Sequence, residues 1–206
     1  MAAEADFGTP PRSTYCGGAQ LAVVEVDIET GGVELLRLVA VGDAGRIPNP
    51  LLAQGQLHGG IAQGVAQALT EAVVYDVAAN PLTSTLLDYG IITAAELPSY
   101  DVSFVDLVDP LGGLGAKGLG ESGSIGATAA VRNAIVDALR PYGVRDVAMP
   151  CAGQAVWEYR GRWPLREYRG RGWAAGTVQI RQNPVGEELH RAHDLAVGHV
   201  ADLKVG

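Results

Sequence analysis

AQLAVVEVDIETGGVELLRLVAV, residues 19–41, consists of two apolar runs separated by Glu29-Thr30-Gly31-Gly32, and its reading decides the fold. Both runs are rich in Val and Leu, and the glycine pair permits a reversal, so the stretch predicts a hairpin of strands over 19–28 and 33–41. Asn49-Pro50 then marks a helix start, because Asn can cap free amides and proline at the first helical position loses no hydrogen bond. The pattern predicts a long helix over 50–74. It holds Gly55, Gly59, Gly60 and Gly64, each costing roughly 1 kcal/mol relative to alanine. Such a stripe of bare backbone implies close approach, either by a neighbouring helix or strand or by a ligand at the helix start.

Downstream, residues 76–81 read as a turn, 82–89 as a strand or bridging loop, and 91–96 as a short helical turn before Pro98. Residues 102–108 alternate as a strand does. A glycine-dense loop at 112–123 leads into a helix over 124–139 that buries Val131, Ile135, Val136 and Leu139, and 144–149 reads as a last short strand. The expected fold class is α+β, a mixed sheet with two long helices, filling 19–150 behind a polar lead-in at 1–18. Residues 151–206 form an atypical Arg/Gly/Trp-containing tail, read as a poorly packed extension. It carries a near repeat, Glu158-Tyr-Arg-Gly-Arg-Trp163 and Glu167-Tyr-Arg-Gly-Arg-Gly-Trp173. Two copies with an acid in each are too few for a solenoid and a weak basis for RNA contact.

Of the 206 residues, 48% are apolar, enough for one sizeable core. The net charge of −8 argues against a nucleic-acid partner, which requires clustered cations to neutralise phosphate. The charge is uneven: residues 1–151 carry 7 basic and 17 acidic side chains, whereas the tail is slightly basic. Cys16 and Cys151 are too few for a disulfide framework, which suggests a reducing compartment. The first residues include acids and no apolar core of a signal peptide, and no apolar run approaches the roughly 18 residues of a membrane span. A cytoplasmic protein without membrane contact is expected.

Chemistry concentrates in the loop at 112–123. Gly113-Leu-Gly115-Ala-Lys-Gly118 formally matches the dinucleotide pattern G-x-G-x-x-G, and Asp137 lies near the expected acidic position. Yet Asp137 falls inside a helical run, and the helix starts well after the third glycine. A P-loop is excluded, because Gly118 stands where the magnesium-holding Ser or Thr would follow Lys117. Glu121 is the one carboxylate in a window of small and apolar residues. Desolvation there would strengthen it as a base; an acid at a helix N-terminus, favoured by the dipole, fits the same position. His58 reads as a helix-face residue, and His190, His193 and His199 lack companions at ligand spacing, so no metal-ligating residues are assigned.

Three segments recur together in order: Gly55-Gln56-Leu-His-Gly59-Gly60-Ile-Ala-Gln63-Gly64; Asp88-Tyr89 with Thr93-Ala94 and Glu96-Leu-Pro98; and Gly115-Ala-Lys117-Gly118-Leu-Gly120-Glu121-Ser122-Gly123. With Gly45-Arg46 and Asn49-Pro50 ahead of them, they resemble the xanthine oxidase family of molybdenum hydroxylases over roughly 19–150, in the C-terminal part of the molybdopterin-binding large subunit. Among its branches they look most like the carbon monoxide dehydrogenase type. The resemblance implies a molybdenum-dependent oxidoreductase subunit with molybdenum and molybdopterin cytosine dinucleotide. Glu121 would be the catalytic base. Gln56, Gly59 and Gly60 would be cofactor-binding, and Lys117, Gly118, Gly120 and Ser122 cofactor-binding or loop-shaping, with a solvent-facing Lys117 as the alternative and Gln63 a buried structural amide. The implied partners are the upstream part of the large subunit and iron–sulfur and FAD subunits in an oligomer. Large subunits of the family are several times longer, so the chain is expected to be inactive alone. The same features admit a non-catalytic remnant or assembly domain of that fold, or a free dinucleotide-binding module.

Overall fold

The computed structural model describes residues 14–111, 113–151 and 153–159, and the backbone of 172–180. The fold is α+β. Its order is β1 (Gly17–Val26), β2 (Val33–Asp43), α1 (Pro50–Leu69), β3 (Tyr100–Phe104), α2 (Ser122–Leu139), α3 (Gly153–Glu158) and β4 (Gly172–Ile180). Three-residue 3-10 turns at Ala94–Glu96 and Arg140–Tyr142 complete it. The sheet runs β3-β2-β1-β4, with β1 antiparallel to both its neighbours and β3 parallel to β2.

The predicted hairpin is present, one register irregularity falling at Val23/Val24. Its turn is built by Asp27, whose Oδ1 accepts from the Glu29 and Thr30 amides at 2.8 and 3.3 Å. Gly31 supplies the positive φ of 77° that the reversal needs. At α1, Asn49 Oδ1 accepts from the Leu52 amide at 3.2 Å, as the Asn-Pro pair predicts.

That helix stops at Leu69 rather than 74. The Thr70 hydroxyl turns back to the Ala66 carbonyl at 3.1 Å, and the β-branched run beyond goes extended, with the Leu82 amide donating to Val74 O at 2.7 Å. Residues 82–89 form turns rather than a strand, apart from the isolated bridge that Pro81 makes with Tyr75. The strand expected over 102–108 starts at Tyr100 and ends at Phe104, opposite Gly42, where its partner strand runs out. Residues 144–149 are not a strand: Val144 and Val147 are buried, but Val147 O accepts from Arg132 Nε of α2, and the Cys151 amide donates to Ala68 O of α1. This segment is tied to the helices, not to a strand edge.

The core joins Val24, Val26, Leu38 and Ala40 of the sheet to Leu57, Ile61 and Val65 of α1 and Ala127, Val131, Ile135 and Leu139 of α2. Each large side chain buried here contributes about 1.5–3 kcal/mol. The helices cross on bare backbone. A Cβ on Gly60 would lie 3.0 Å from Gly123 Cα, and one on Gly64 would lie 2.6 Å from Ser124 O. The glycine stripe therefore divides: Gly60 and Gly64 serve helix packing, while added Cβ atoms on Gly55 and Gly59 would meet nothing within 4 Å.

Past residue 150, the described residues 151, 153–159 and 172–180 continue the folded structure. Cys151 and Val156 are buried in the core, and β4 pairs along β1 from Gly18 opposite Ile180 to Val26 opposite Gly172. Pairing satisfies an edge that β1 would otherwise expose. The lead-in at 1–13, most of the near repeat, and His190, His193 and His199 lie outside the described residues.

Candidate active-site cleft

Where β1 begins and β2 ends, the glycine-rich loop and the first turn of α2 close a cleft of about 400 Å³, lined among others by Cys16, Gln20, Leu57, Gly118, Gly120, Glu121 and Ser122. The loop is pinned from its start. Gly115, at φ 70°, offers its carbonyl to the amides of Arg46 (2.8 Å) and Asp109 (3.0 Å), and the Lys117 amide donates to Ala44 O at 2.7 Å. Lys117 Nζ reaches back to Asp43 Oδ2 at 2.5 Å, with both side chains largely buried. Asp43 Oδ1 accepts from the Gly45 amide at 3.0 Å, at a residue whose φ of 63° suits glycine.

Lys117 is thus a loop-shaping residue rather than a solvent-facing one. Removing its charge strands a buried carboxylate, so Lys117→Met should destabilise the chain by about 2 kcal/mol in chemical denaturation. An unchanged midpoint would show the pair to be dispensable.

The loop's far end is held by two amides. Gln56 Nε2 donates to Gly120 O at 2.8 Å, which joins the first and third sequence segments directly. Gln20 Nε2 donates to the carbonyls of Ser122 (2.9 Å) and Gly123 (3.0 Å), on either side of the peptide that starts α2. Gln20 is buried, and among the described residues its Oε1 has no hydrogen-bond partner. An unfilled buried acceptor is costly unless something else completes it. Gly118 and Gly120 are open: an added Cβ would meet nothing within 4 Å at either.

Glu121 is the N-cap residue of α2 but makes no side-chain cap bond, and it is exposed. The helix-start reading is thus met in position, with no side-chain cap bond added to the dipole. Ser122 Oγ donates to Cys16 Sγ at 3.0 Å. Burial is the main influence raising the Cys16 thiol above its ordinary value, against the lowering effect of the Ser122 bond.

Sequence reasoning missed Gln20, Asp43 and Cys16. Gln20 had left a signal, as a lone amide in an apolar strand. Of the other sequence candidates, Gly59 faces open space and Gly60 faces Gly123. Gln63, expected to be buried, is exposed. His58 is half-buried against Tyr100, with ring centroids 5.7 Å apart. The dinucleotide reading fails on geometry: seventeen residues, 105–121, separate β3 from α2, whereas the motif joins strand to helix in one tight turn. Among the described residues, no group of three His, Cys, Asp or Glu side chains could hold a metal ion. No described helix is long and apolar enough to cross a membrane.

Cys151 is sealed in the core, and burial pushes its thiol up to about 11 from an ordinary 9.0. The folded state therefore favours the neutral thiol, and this contribution is complete below pH 9. It is lost as pH rises from about 9 to about 11, since the unfolded chain ionises first. Denaturation midpoints should fall over that window, and Cys151→Ala should flatten this part of the slope; an identical slope in the variant would remove Cys151 as its source.

Comparison with known proteins agrees with this architecture. Residues 2–98 match the family described as a molybdopterin cofactor-binding domain. The chain is 36% identical over 149 residues to the carbon monoxide dehydrogenase large chain of Hydrogenophaga pseudoflava, covering 72% of this chain and 19% of that one. It is 37% identical over 145 residues to the nicotine 6-hydroxylase large subunit of Paenarthrobacter nicotinovorans, covering 70% and 18%. Among solved structures it superimposes on the Cu,Mo-CO dehydrogenase with a TM-score of 0.74 at 30% identity, covering 77% of this chain and 20% of that one. The chain thus spans about a fifth of the length of the relatives it matches. With three motifs in order, the matching fold and these likenesses, the chain belongs to the xanthine oxidase family of molybdenum hydroxylases.

Proposed function

We propose that this chain supplies pterin-dinucleotide contacts and the catalytic glutamate, Glu121, to a molybdenum-dependent hydroxylase or dehydrogenase of the carbon monoxide dehydrogenase type. The reading rests chiefly on the Gln56 to Gly120 hydrogen bond, which brings the first motif to the rim of the cleft beside Glu121. The donor set suits an organic cofactor. Gln20 offers an unfilled acceptor to an N–H edge, and the open backbone at Gly118 and Gly120 admits close approach. The cytosine dinucleotide form of molybdopterin is the one proposed.

When bound, molybdenum supplies the Lewis acidity and the two-electron acceptor that oxidation of a carbon centre requires. The chain's own residues position and deprotonate. Gln20 and Gln56 hold the backbone on either side of Glu121, so its carboxylate is presented from a braced turn with no cap bond to break. Glu121 Oε accepts the proton of the attacking nucleophile. Glu121 is exposed in this chain, which leaves room for a further surface of the assembled enzyme to close over the cleft and exclude water. We assign that surface to the part of a large subunit with no counterpart here, working with iron–sulfur and FAD subunits in a soluble cytoplasmic oligomer.

The experiment is co-expression of the chain with those subunits, with molybdenum measured in the purified assembly. Gln56→Ala is expected to lower molybdenum occupancy several-fold while the assembly stays intact. An assembly devoid of molybdenum even with unaltered Gln56 would refute the proposal.

A further inference from the structure

Between the end of α1 and the start of β3 the chain makes an excursion over residues 71–92 with no long helix or strand. It is nevertheless built to one shape. The Asp76 carboxylate accepts from the Ala78 and Asn80 amides at 2.8 Å each, Thr85 Oγ1 donates to Asp88 at 2.7 Å, and Tyr89 OH donates to Glu71 at 3.1 Å. Gly90 seats the return against the end of α1: a Cβ there would lie 2.7 Å from Thr70 O.

On this frame stand large apolar side chains turned to solvent. Val77 is fully exposed, Leu86 is 80% and Leu87 94% exposed, and Tyr75, Leu82 and Ile91 are each more than half exposed. A contiguous segment of this kind is rare on a free-standing surface and marks an interface. Its charge has one sign. No Lys or Arg occurs between Arg46 and Lys117, while Glu71, Asp76, Asp88 and Glu96 fall in or beside the excursion. Among the described residues these carboxylates are held by hydroxyls, amides and backbone N–H groups, and none by a cation. The face is thus apolar, preorganised and uniformly acidic.

We infer that residues 71–92 form the docking surface for a basic, apolar face on the part of a molybdenum hydroxylase large subunit that lies beyond the fifth spanned here. The inference rests on the functional reading above for the partner's identity, and on the exposed side chains and charge for the surface. Preorganisation matters because a loop already held in shape pays little ordering entropy on docking.

The test co-expresses the full chain with the Hydrogenophaga pseudoflava carbon monoxide dehydrogenase large chain from which the matching fifth has been deleted. A 1:1 complex is expected, with slowed backbone hydrogen exchange over 71–92. The double variant Leu86→Asp/Leu87→Asp alters only exposed side chains and should keep the wild-type unfolding midpoint, yet bind about a hundredfold more weakly. Glu121→Gln should bind normally. Failure to form a complex would overturn the inference, as would a complex that the double variant forms equally well. A homodimer of this chain that the double variant dissociates would assign the surface to a second copy and overturn it as well. A complex that depends on Leu86 and Leu87 but holds no molybdenum would leave the docking surface standing and remove the functional reading.

Discussion

Glu121→Gln, in the assembled enzyme, is expected to lower turnover by about 10²–10⁴-fold, the range by which a positioned general base accelerates proton transfer. The side chain is exposed and makes no cap hydrogen bond, so its replacement by an isosteric amide disturbs no packing. The variant should therefore match the parent in unfolding midpoint, subunit composition and molybdenum content, which separates loss of the base from loss of the fold or cofactor. Glu121→Asp provides the graded case, keeping the charge but withdrawing it by one methylene, and should retain part of the rate. Turnover in Glu121→Gln within a few-fold of the parent, at equal metal content, would remove Glu121 from the reaction.

The largest effect on the fold is expected at Gly123. An added Cβ there would lie 2.6 Å from Leu57 O, 2.7 Å from Ile61 N and 2.8 Å from Gly60 C, all backbone atoms of α1. No side chain can swing aside to make room. The helices would have to separate, taking the Gln20 bonds to Ser122 and Gly123 and the Gln56 bond to Gly120 with them. Gly123→Ala should cost about 3 kcal/mol or more. The usual helix gain of about 1 kcal/mol from replacing glycine by alanine does not offset this. Gly59→Ala is the contrast: the position is helical and open, so the same change should stabilise by up to about 1 kcal/mol. Urea unfolding of the two variants decides the matter, and equal stabilities would show that the crossing is not set by backbone contact.

Much of the fold was legible because it depends on local signals. The hairpin followed from Glu29-Thr30-Gly31-Gly32 between two Val/Leu runs, and α1 from Asn49-Pro50. The ends of elements were less legible, because partners decide them. The strand over 102–108 stops at Phe104, where β2 runs out, and 144–149 became a braced segment because α1 and α2 supply its hydrogen bonds. At 172–180 the same holds: a stretch poor in apolar alternation still pairs when a strand edge is waiting, as β4 does on β1.

The site divides in the same way. By itself, the sequence determined the hairpin, the two long helices, the family and the order of the three motifs, since capping chemistry, side-chain periodicity and motif spacing are written along the chain. Only the tertiary structure decided which glycines face a helix and which face open space, that Lys117 is spent on Asp43, and that Gln20 and Gln56 brace the turn bearing Glu121. These contacts join residues about 60 to 100 positions apart. Such pairs become neighbours only when the helices cross and the sheet closes beneath them, and no local pattern of residues encodes that distance.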